Sequence, residues 1–190
     1  MNGAGNWEWK LREAVERVRT RYDHIGRKTG APFLAIVYAP ESERAVLREW
    51  HALAATLQRE FSILTVDVLD ITTRVVDQFG VRALVESMGS PMPGSDPTSE
   101  LGSMWTNAVV AGVREAAAQS GLGRPVVSIE RLAALYPASG PRAVMQALWD
   151  SDHAALESPV LLLIPGILVE PRVYRFVGEI EEFMYRGDIL

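Results

Sequence analysis

Cysteine is absent from this 190-residue sequence. Its absence excludes disulfide bonds, thiolate metal sites and cysteine nucleophiles together. Histidine is scarce, and His24, His51 and His153 form neither a His-x-His nor a His-x-x-x-His pair, so no zinc motif is present. We therefore expect the protein to hold neither a metal ion nor a cofactor.

An excess of positive charge is also absent. The sequence has 19 Lys and Arg against 24 Asp and Glu, a formal net charge of −5 at pH 7, so its totals indicate no basic surface for nucleic acid. No apolar run is long enough to span a membrane, and residues 1–10 contain no apolar segment typical of a signal peptide. These absences predict a cytoplasmic protein with no membrane contact and no direct contact with nucleic acid.

Motifs for nucleotide binding and for catalysis are missing as well. Residues 33–38 form a predicted strand, but the stretch 39–44 after it has no glycine to wrap a phosphate and carries two glutamates that would repel it. No serine lies in a Gly-x-Ser-x-Gly motif. Asp67 and Asp70 imitate a magnesium-binding pair, although capping and turn roles are commoner at a strand end. We identify no catalytic residue and favour a protein that is not an enzyme, a question that stays open.

The most informative feature that is present is an aliphatic run between two prolines. Val160–Ile164 has five consecutive aliphatic residues, flanked by Pro159 on one side and by Pro165-Gly166 on the other. Such a run is typical of a strand buried on both faces, which needs helices above and below it. We predict that Pro165-Gly166 ends this strand.

Strands and amphipathic helices alternate along the rest of the chain. The pattern predicts helices near 7–25, 42–57, 72–89, 96–119 and 140–149, and strands at 33–38, 62–69, 125–129 and 173–177. We predict an α/β fold of three layers, with a mainly parallel sheet of about five strands flanked by helices. The gap before residues 173–177 is too short for a crossover helix. The last strand is therefore predicted to return antiparallel at a sheet edge, with Pro165-Gly166 as the turn.

The chain is predicted to form one domain over residues 1–190. The stretch 90–99, rich in proline and glycine, is interpreted as a surface loop because neither side of it shows a complete core. Residues 7–25 form an N-terminal amphipathic helix with an excess of basic residues. Residues 179–190 form a C-terminal tail that either folds back or meets a partner.

Two stretches carry a resemblance to a known family. One is Leu135-Tyr136-Pro137, which follows a β-rich run and precedes a helix; the other is the aliphatic strand ending in Ile164-Pro165-Gly166 and followed by Tyr174-Arg175-Phe176. In this order, near the carboxyl end of a chain of this size, they resemble the BrxB family of BREX phage-defence systems. The resemblance is strongest over residues 125–178. The chain departs from the family pattern at Glu130-Arg131, where a glycine-containing turn is typical.

The resemblance implies a non-enzymatic adaptor of a phage-defence complex whose expected partners are a PglZ-like protein and other subunits of the complex. A competing hypothesis is a protein that senses a nucleotide or another anion, or an enzyme, with a non-standard site at the carboxyl ends of the strands. A stand-alone regulator is a third. Across these hypotheses, the residues expected to contact a ligand or a partner are Asp70, Tyr136, Pro137, Arg142, Pro165 and Gly166.

Overall fold

Alternating helices and strands form three layers in the computed structural model, which describes residues 7–25, 30–119, 123–151, 156–184 and 186–190. The helices are α1 (Trp7–Arg21), α2 (Glu43–Ala55), α3 (Val68–Phe79), α4 (Val81–Gly89), α5 (Pro97–Ala118) and α6 (Pro141–Ser151). The strands are β1 (Phe33–Tyr38), β2 (Phe61–Asp67), β3 (Arg124–Glu130), β4 (Val160–Glu170), β5 (Val173–Phe176), β6 (Ile180–Phe183) and β7 (Gly187–Ile189).

The central sheet is parallel and has the strand order β2-β3-β4-β1-β7. Strand β5 pairs antiparallel with the distal half of β4, and β6 pairs antiparallel with β5. The predicted three-layer α/β fold with a mainly parallel sheet is therefore confirmed, as is the antiparallel return at an edge. The five predicted strands correspond to β1–β5.

Two apolar cores sandwich the sheet. In β1 the side chains alternate: those of Phe33, Ala35 and Val37 belong to the core under α3, α5 and α6, and the intervening ones belong to the core under α1 and α2. In β4, Val160–Ile164 has no exposed surface at all. Because burying an aliphatic side chain contributes about 1.5–3 kcal/mol, this strand stabilises both halves of the molecule.

Pro165-Gly166 does not end the aliphatic strand, so the prediction that it forms the turn is wrong. Strand β4 continues through Pro165-Gly166 to Glu170. It changes its pairing strand at Pro165-Gly166. Pro165 is in parallel register with Tyr38 of β1, whereas Gly166 is in antiparallel register with Phe176 of β5. The proline lacks a donor, but its carbonyl oxygen accepts a hydrogen bond of 2.9 Å from the Val177 N–H.

Helix α3 begins earlier than the spacing predicts. The pattern assigned residues 62–69 to a strand and one helix to residues 72–89, but α3 begins at Val68, because the Asp67 carboxylate accepts a 3.2 Å hydrogen bond from the Asp70 N–H and caps it. This cap outweighs the β-propensity of the residues that follow. Gly80, at φ 83°, then separates α3 from α4.

The C-terminal tail folds back onto the domain and completes the sheet. Strand β7 runs parallel to β1, with Gly187 opposite Phe33. The Leu190 N–H donates to the Ala35 carbonyl at 2.8 Å, and the Leu190 carbonyl accepts from the Val37 N–H at 3.1 Å. A Cβ at Gly187 would lie 2.1 Å from the Phe33 carbonyl oxygen, so only glycine allows this approach.

Candidate functional site

Polar side chains gather at the carboxyl edge of the parallel sheet, where open α/β sheets usually bind ligands. Tyr38, Asp67 and Glu130 are the last residues of β1, β2 and β3, and Asp67 is in direct register with Glu130. Strand alternation places all three on the side of the sheet covered by α2. This carboxyl-edge cluster is completed by Glu43 and His51 of α2, Ser128 of β3 and Arg131.

Glu130 is the centre of the cluster. Only 3% of its surface is exposed, and its carboxylate accepts a 3.0 Å hydrogen bond from the Ser128 hydroxyl. Its second oxygen lies 2.7 Å from His51 Nε2, and 56% of that histidine side chain is exposed. A buried carboxylate needs such partners. An imidazole held by a carboxylate is also the arrangement that general acid–base catalysis uses.

Tyr38 links this pair to α2. Its hydroxyl donates to the Glu43 carboxylate at 3.2 Å and lies 3.5 Å from the Leu163 carbonyl oxygen. Burial raises the pKa of Tyr38 well above its usual range, and the Glu43 carboxylate adds to the effect. Burial also raises the pKa of Glu43, opposed by the Tyr38 hydrogen bond and by the Arg131 charge. Tyr38 is thus a permanent donor that holds α2 on the sheet.

Arg131 closes the cluster at the end of β3. Its guanidinium forms an ion pair with Asp67, the residue that caps α3. Its backbone has φ 56° and ψ 39°, the left-handed region that glycine adopts most easily.

The charge of the cluster disfavours a bare phosphate. Three carboxylates, of Glu43, Asp67 and Glu130, face one guanidinium, so a phosphate here would meet repulsion. Within the described ranges, no group of three or more His, Asp or Glu residues is arranged to hold a metal ion. The polar groups satisfy one another, and the arrangement works first as a link between α2, β1, β2 and β3.

The residues predicted to contact a ligand lie on separate elements. Asp70 is exposed in the first turn of α3, and Arg142 is exposed at the start of α6; they line different cavities. Tyr136 and Pro137 are exposed just before α6 and are joined by a cis peptide bond. Pro165 and Gly166 are buried in β4. Tyr136 with Pro137 and Pro165 with Gly166 are thus neighbours already in the sequence, and Asp70 and Arg142 lie apart from each other.

Sequence reasoning missed the members of the carboxyl-edge cluster other than Asp67. His51 and Glu130 are 79 residues apart and carry no motif. One signal was available: a single acidic residue ends the apolar run at Glu130, as Asp67 ends that of β2. Because the carboxyl ends of neighbouring parallel strands meet at one edge, those two acids were candidates for a shared site.

A second buried carboxylate joins the antiparallel strands to α6. Glu182 of β6 is 9% exposed, and one of its oxygens accepts from the Tyr174 hydroxyl at 2.6 Å and from the Arg142 N–H at 3.0 Å. It thereby serves α6 as a cap supplied from a distant strand. Burial raises the pKa of Glu182, opposed by the two hydrogen bonds and by the Arg142 charge.

Most of the exposed large apolar side chains among the described residues lie in two places. The β4 extension, which we define as Gly166–Glu170, exposes Ile167 (54%), Leu168 (43%) and Val169 (43%), and among the described residues it pairs with β5 alone. The other place is α4 with its flanks, where no residue of the helix is buried. Its exposed apolar residues are Phe79, Val81, Val85, Met88 and Met92. Contiguous exposed apolar side chains mark interaction surfaces more often than single exposed ones do.

These features define a three-layer α/β protein that has, at its carboxyl edge, a polar cluster whose members satisfy one another. It also has an antiparallel ribbon, formed by the β4 extension, β5 and β6. Comparisons with protein-family models, with curated proteins and with solved structures find no match to the chain. None of the described helices is both long enough and apolar enough to cross a membrane.

Proposed function

We propose that this protein is a non-enzymatic adaptor of a BREX-type phage-defence complex and that it binds a PglZ-like protein. The identity of the partner is supported by the resemblance over residues 125–178. Glu130-Arg131 remains a departure from the family pattern, although Arg131 adopts the left-handed backbone that glycine favours.

The observation that carries the proposal is the β4 extension. It presents Ile167, Leu168 and Val169 in succession, and it has a strand partner on one side alone among the described residues. The open edge of such a strand offers backbone groups to an incoming strand, while the side chains supply apolar contact. The partner binds here by adding an extended segment next to β4.

Pro165 and Gly166 contribute by shaping this edge. Both are buried, so neither contacts the partner directly. A Cβ on Gly166 would lie 2.5 Å from the Arg175 carbonyl oxygen, so glycine is needed for β5 to approach β4. Tyr136 and Pro137 are exposed and belong to the contact surface in this proposal.

Co-purification with the PglZ-like protein encoded by a neighbouring gene tests the proposal. Leu168→Lys places a charge in the β4 extension, and we expect it to reduce retention of the partner at least tenfold, about 1.4 kcal/mol. Val85→Lys is the matched control, since Val85 is an exposed valine of α4 (64% exposed). Both variants must melt within about 3 °C of the wild type.

The outcomes separate three cases. Loss of retention with Leu168→Lys alone supports the proposed surface. Loss with Val85→Lys alone moves the interface to α4. Failure of the wild-type protein to retain a PglZ-like protein contradicts the assignment of the partner.

A second candidate function, an enzyme or an anion sensor at the carboxyl edge, is favoured by one observation. His51 is exposed and held 2.7 Å from the buried Glu130 carboxylate, as in a general acid–base pair. Thermal unfolding with ATP, GTP and Mg²⁺ tests it. Because carboxylates dominate this edge, we expect no stabilisation. A rise in the melting temperature that His51→Gln abolishes would favour this candidate over the adaptor.

A further inference from the structure

Strand β2 forms one edge of the central sheet. It stands at the end of the strand order and, among the described residues, pairs with β3 alone. The strand at the opposite end, β7, has three residues, whereas β2 has seven. The outer N–H and C=O groups of an edge strand have no partner in their own sheet, so they can pair with another chain. Strand β2 is the longer of the two edges that the central sheet offers.

The ladder between β2 and β3 shows which backbone groups of β2 point outward. The Arg124 N–H donates to the Glu60 carbonyl at 3.1 Å. In a parallel ladder every second residue directs both of its backbone groups to the same neighbour, so the even-numbered residues of β2 face β3. Ile63 and Thr65 therefore direct their N–H and C=O groups to the outer edge. Within the described part of the chain, no backbone group pairs with them there.

Strand β2 carries none of the features that usually keep a strand edge from pairing. Its sequence, FSILTVD, has no proline and no lysine, and its register with β3 runs without a bulge from Phe61 to Asp67. Two open clefts lie beside it, one of about 230 Å³ along residues 65–67 and one of about 480 Å³ along residues 61–63. The Thr65 side chain is exposed. The helices therefore leave this edge accessible.

The outer edge of β2 is complementary to a second copy of itself in antiparallel orientation. About a two-fold axis at Leu64, Ile63 of one copy lies opposite Thr65 of the other, and each such pair exchanges two hydrogen bonds. Every outward group of these residues then gains a partner. The two Leu64 side chains meet at the axis, and Ser62 lies opposite Val66. No like charges face each other across the pair.

Charges beyond the ends of the strand favour the same orientation. Arg59 is exposed just before β2, and Asp70 is exposed just after it. In an antiparallel pair the start of one strand lies beside the end of the other, so Arg59 of each copy approaches Asp70 of the other copy. A parallel pair would place like charges side by side. Because both residues are exposed, the charges contribute to orientation more than to affinity.

We propose that the protein forms a two-fold symmetric homodimer in which the β2 strands of two copies pair antiparallel and join the two central sheets into one. The inference goes beyond the proposed function: it concerns a different strand edge from the β4 extension and requires no PglZ-like protein. One strand pair is a small interface, so we expect a Kd on the order of 10 µM.

Sedimentation equilibrium of the full chain between about 2 and about 200 µM measures the association. The average mass is expected to rise from the 20.9 kDa of one chain toward twice that value. Thr65→Pro removes an outward N–H and is tolerated at an edge, so it should weaken dimerisation roughly tenfold or more. Thr65→Val keeps the N–H and is the matched control, expected to dimerise like the wild type.

Both variants must melt within about 3 °C of the wild type. A wild-type protein that stays monomeric over the whole range overturns the proposal, and so does a dimer that Thr65→Pro leaves unchanged. If Thr65→Pro does not fold, the cysteine variants decide.

Cysteine cross-linking tests the register of the pair. The chain contains no cysteine, so a single introduced thiol reports its own contact alone. At the axis, two Leu64→Cys residues have Cα atoms about 4.5 Å apart, within reach of a disulfide, whereas two Thr65→Cys residues lie beyond about 7 Å. Under mild oxidation we expect Leu64→Cys to cross-link roughly five times faster or more. Chance collision predicts the reverse order, because Thr65 is the more exposed residue. Equal or faster cross-linking of Thr65→Cys overturns the register.

Charge reversal tests the orientation. In low salt, Arg59→Glu and Asp70→Lys are each expected to weaken the dimer about threefold, and both changes in one chain to restore the wild-type Kd within about twofold. Arg82→Glu on α4 is the control for net charge, since Arg82 is exposed and lies outside the proposed interface. A double variant that dimerises more weakly than either single variant contradicts the antiparallel arrangement, and so does equal weakening by Arg82→Glu.

Discussion

At the scale of single residues, Arg131 has a strained backbone conformation, and its side chain forms an ion pair. A non-glycine residue in the left-handed region costs about 1 kcal/mol. Arg131→Gly and Arg131→Ala both remove the ion pair with Asp67, but only the alanine variant keeps the strain. We predict that the glycine variant is the more stable by about 1 kcal/mol in urea unfolding.

Position 48 provides the control for this comparison. Arg48 is exposed in the interior of α2, where glycine is the worse residue by about 1 kcal/mol, so the order of the two variants should reverse there. If alanine is the more stable variant at both positions, the backbone at Arg131 carries no strain.

Gly166 is the second residue at which backbone geometry determines the stability of the protein. An alanine Cβ would lie 2.5 Å from the Arg175 carbonyl oxygen and 3.4 Å from the Phe176 Cα. We predict that Gly166→Ala destabilises the protein by about 1–3 kcal/mol, because β5 must move away from β4. Guanidinium unfolding measures the change. Gly89→Ala is the control, because a Cβ there meets nothing within 4 Å and should cost nothing.

At the scale of elements, Glu182 connects the ribbon to α6. Its carboxylate accepts from the Tyr174 hydroxyl and the Arg142 N–H, and burial raises its pKa. The folded state therefore keeps a proton that the unfolded state releases as pH rises above its ordinary pKa. This contribution to stability is complete below about pH 4.5 and is lost as pH rises through the folded pKa.

Glu182→Gln should remove that pH dependence, because glutamine keeps an acceptor oxygen and does not titrate. We predict a flatter curve of unfolding free energy against pH above about pH 4.5 than in the wild type. Burial raises the pKa of Glu43 as well, so Glu43→Gln is the matched variant and removes a separate part of the slope. An unchanged curve for Glu182→Gln would show that the Glu182 pKa is not raised.

How much of each element could be predicted depends on how local its signal is. Strand β4 was found because five aliphatic residues are a signal by themselves. Its continuation beyond Pro165 was missed because it depends on pairing with β5. That pairing forms only in the folded chain and leaves no local signal in the sequence. Strands β6 and β7 were missed for the same reason: β7 pairs with β1, at the other end of the chain. The carboxyl-edge cluster likewise joins residues from four distant elements.

At the scale of the whole molecule, the polar cluster and the exposed apolar side chains lie in different regions. The carboxyl edge, where α/β proteins usually bind ligands, is occupied by side chains that satisfy one another. Most of the exposed large apolar side chains of the described residues lie instead on the ribbon and on α4 with its flanks. In the proposed function, these apolar groups, and not the carboxyl edge, are the surfaces at which a partner binds.

The C-terminal residues contribute to the stability of the whole molecule because they complete the sheet. Deleting residues 186–190 removes β7 and Leu190, which is 6% exposed, and leaves the backbone of β1 without its partner on that edge. We predict a loss of about 3–5 kcal/mol, from one buried leucine and several unmade hydrogen bonds. Urea unfolding measures it, and amide hydrogen exchange of Ala35 and Val37 should accelerate.

Asp188→Asn is the control for this deletion. Its carboxylate is 61% exposed and pairs with Arg17 on the surface, so removing the charge should change stability by less than about 1 kcal/mol. If the deleted protein unfolded at the wild-type urea concentration, β7 would not belong to the cooperative unit, and residues 186–190 would be available to a partner. If it is destabilised as predicted, a loss of partner binding on deletion does not identify the interface, and point variants such as Leu168→Lys are needed to map it.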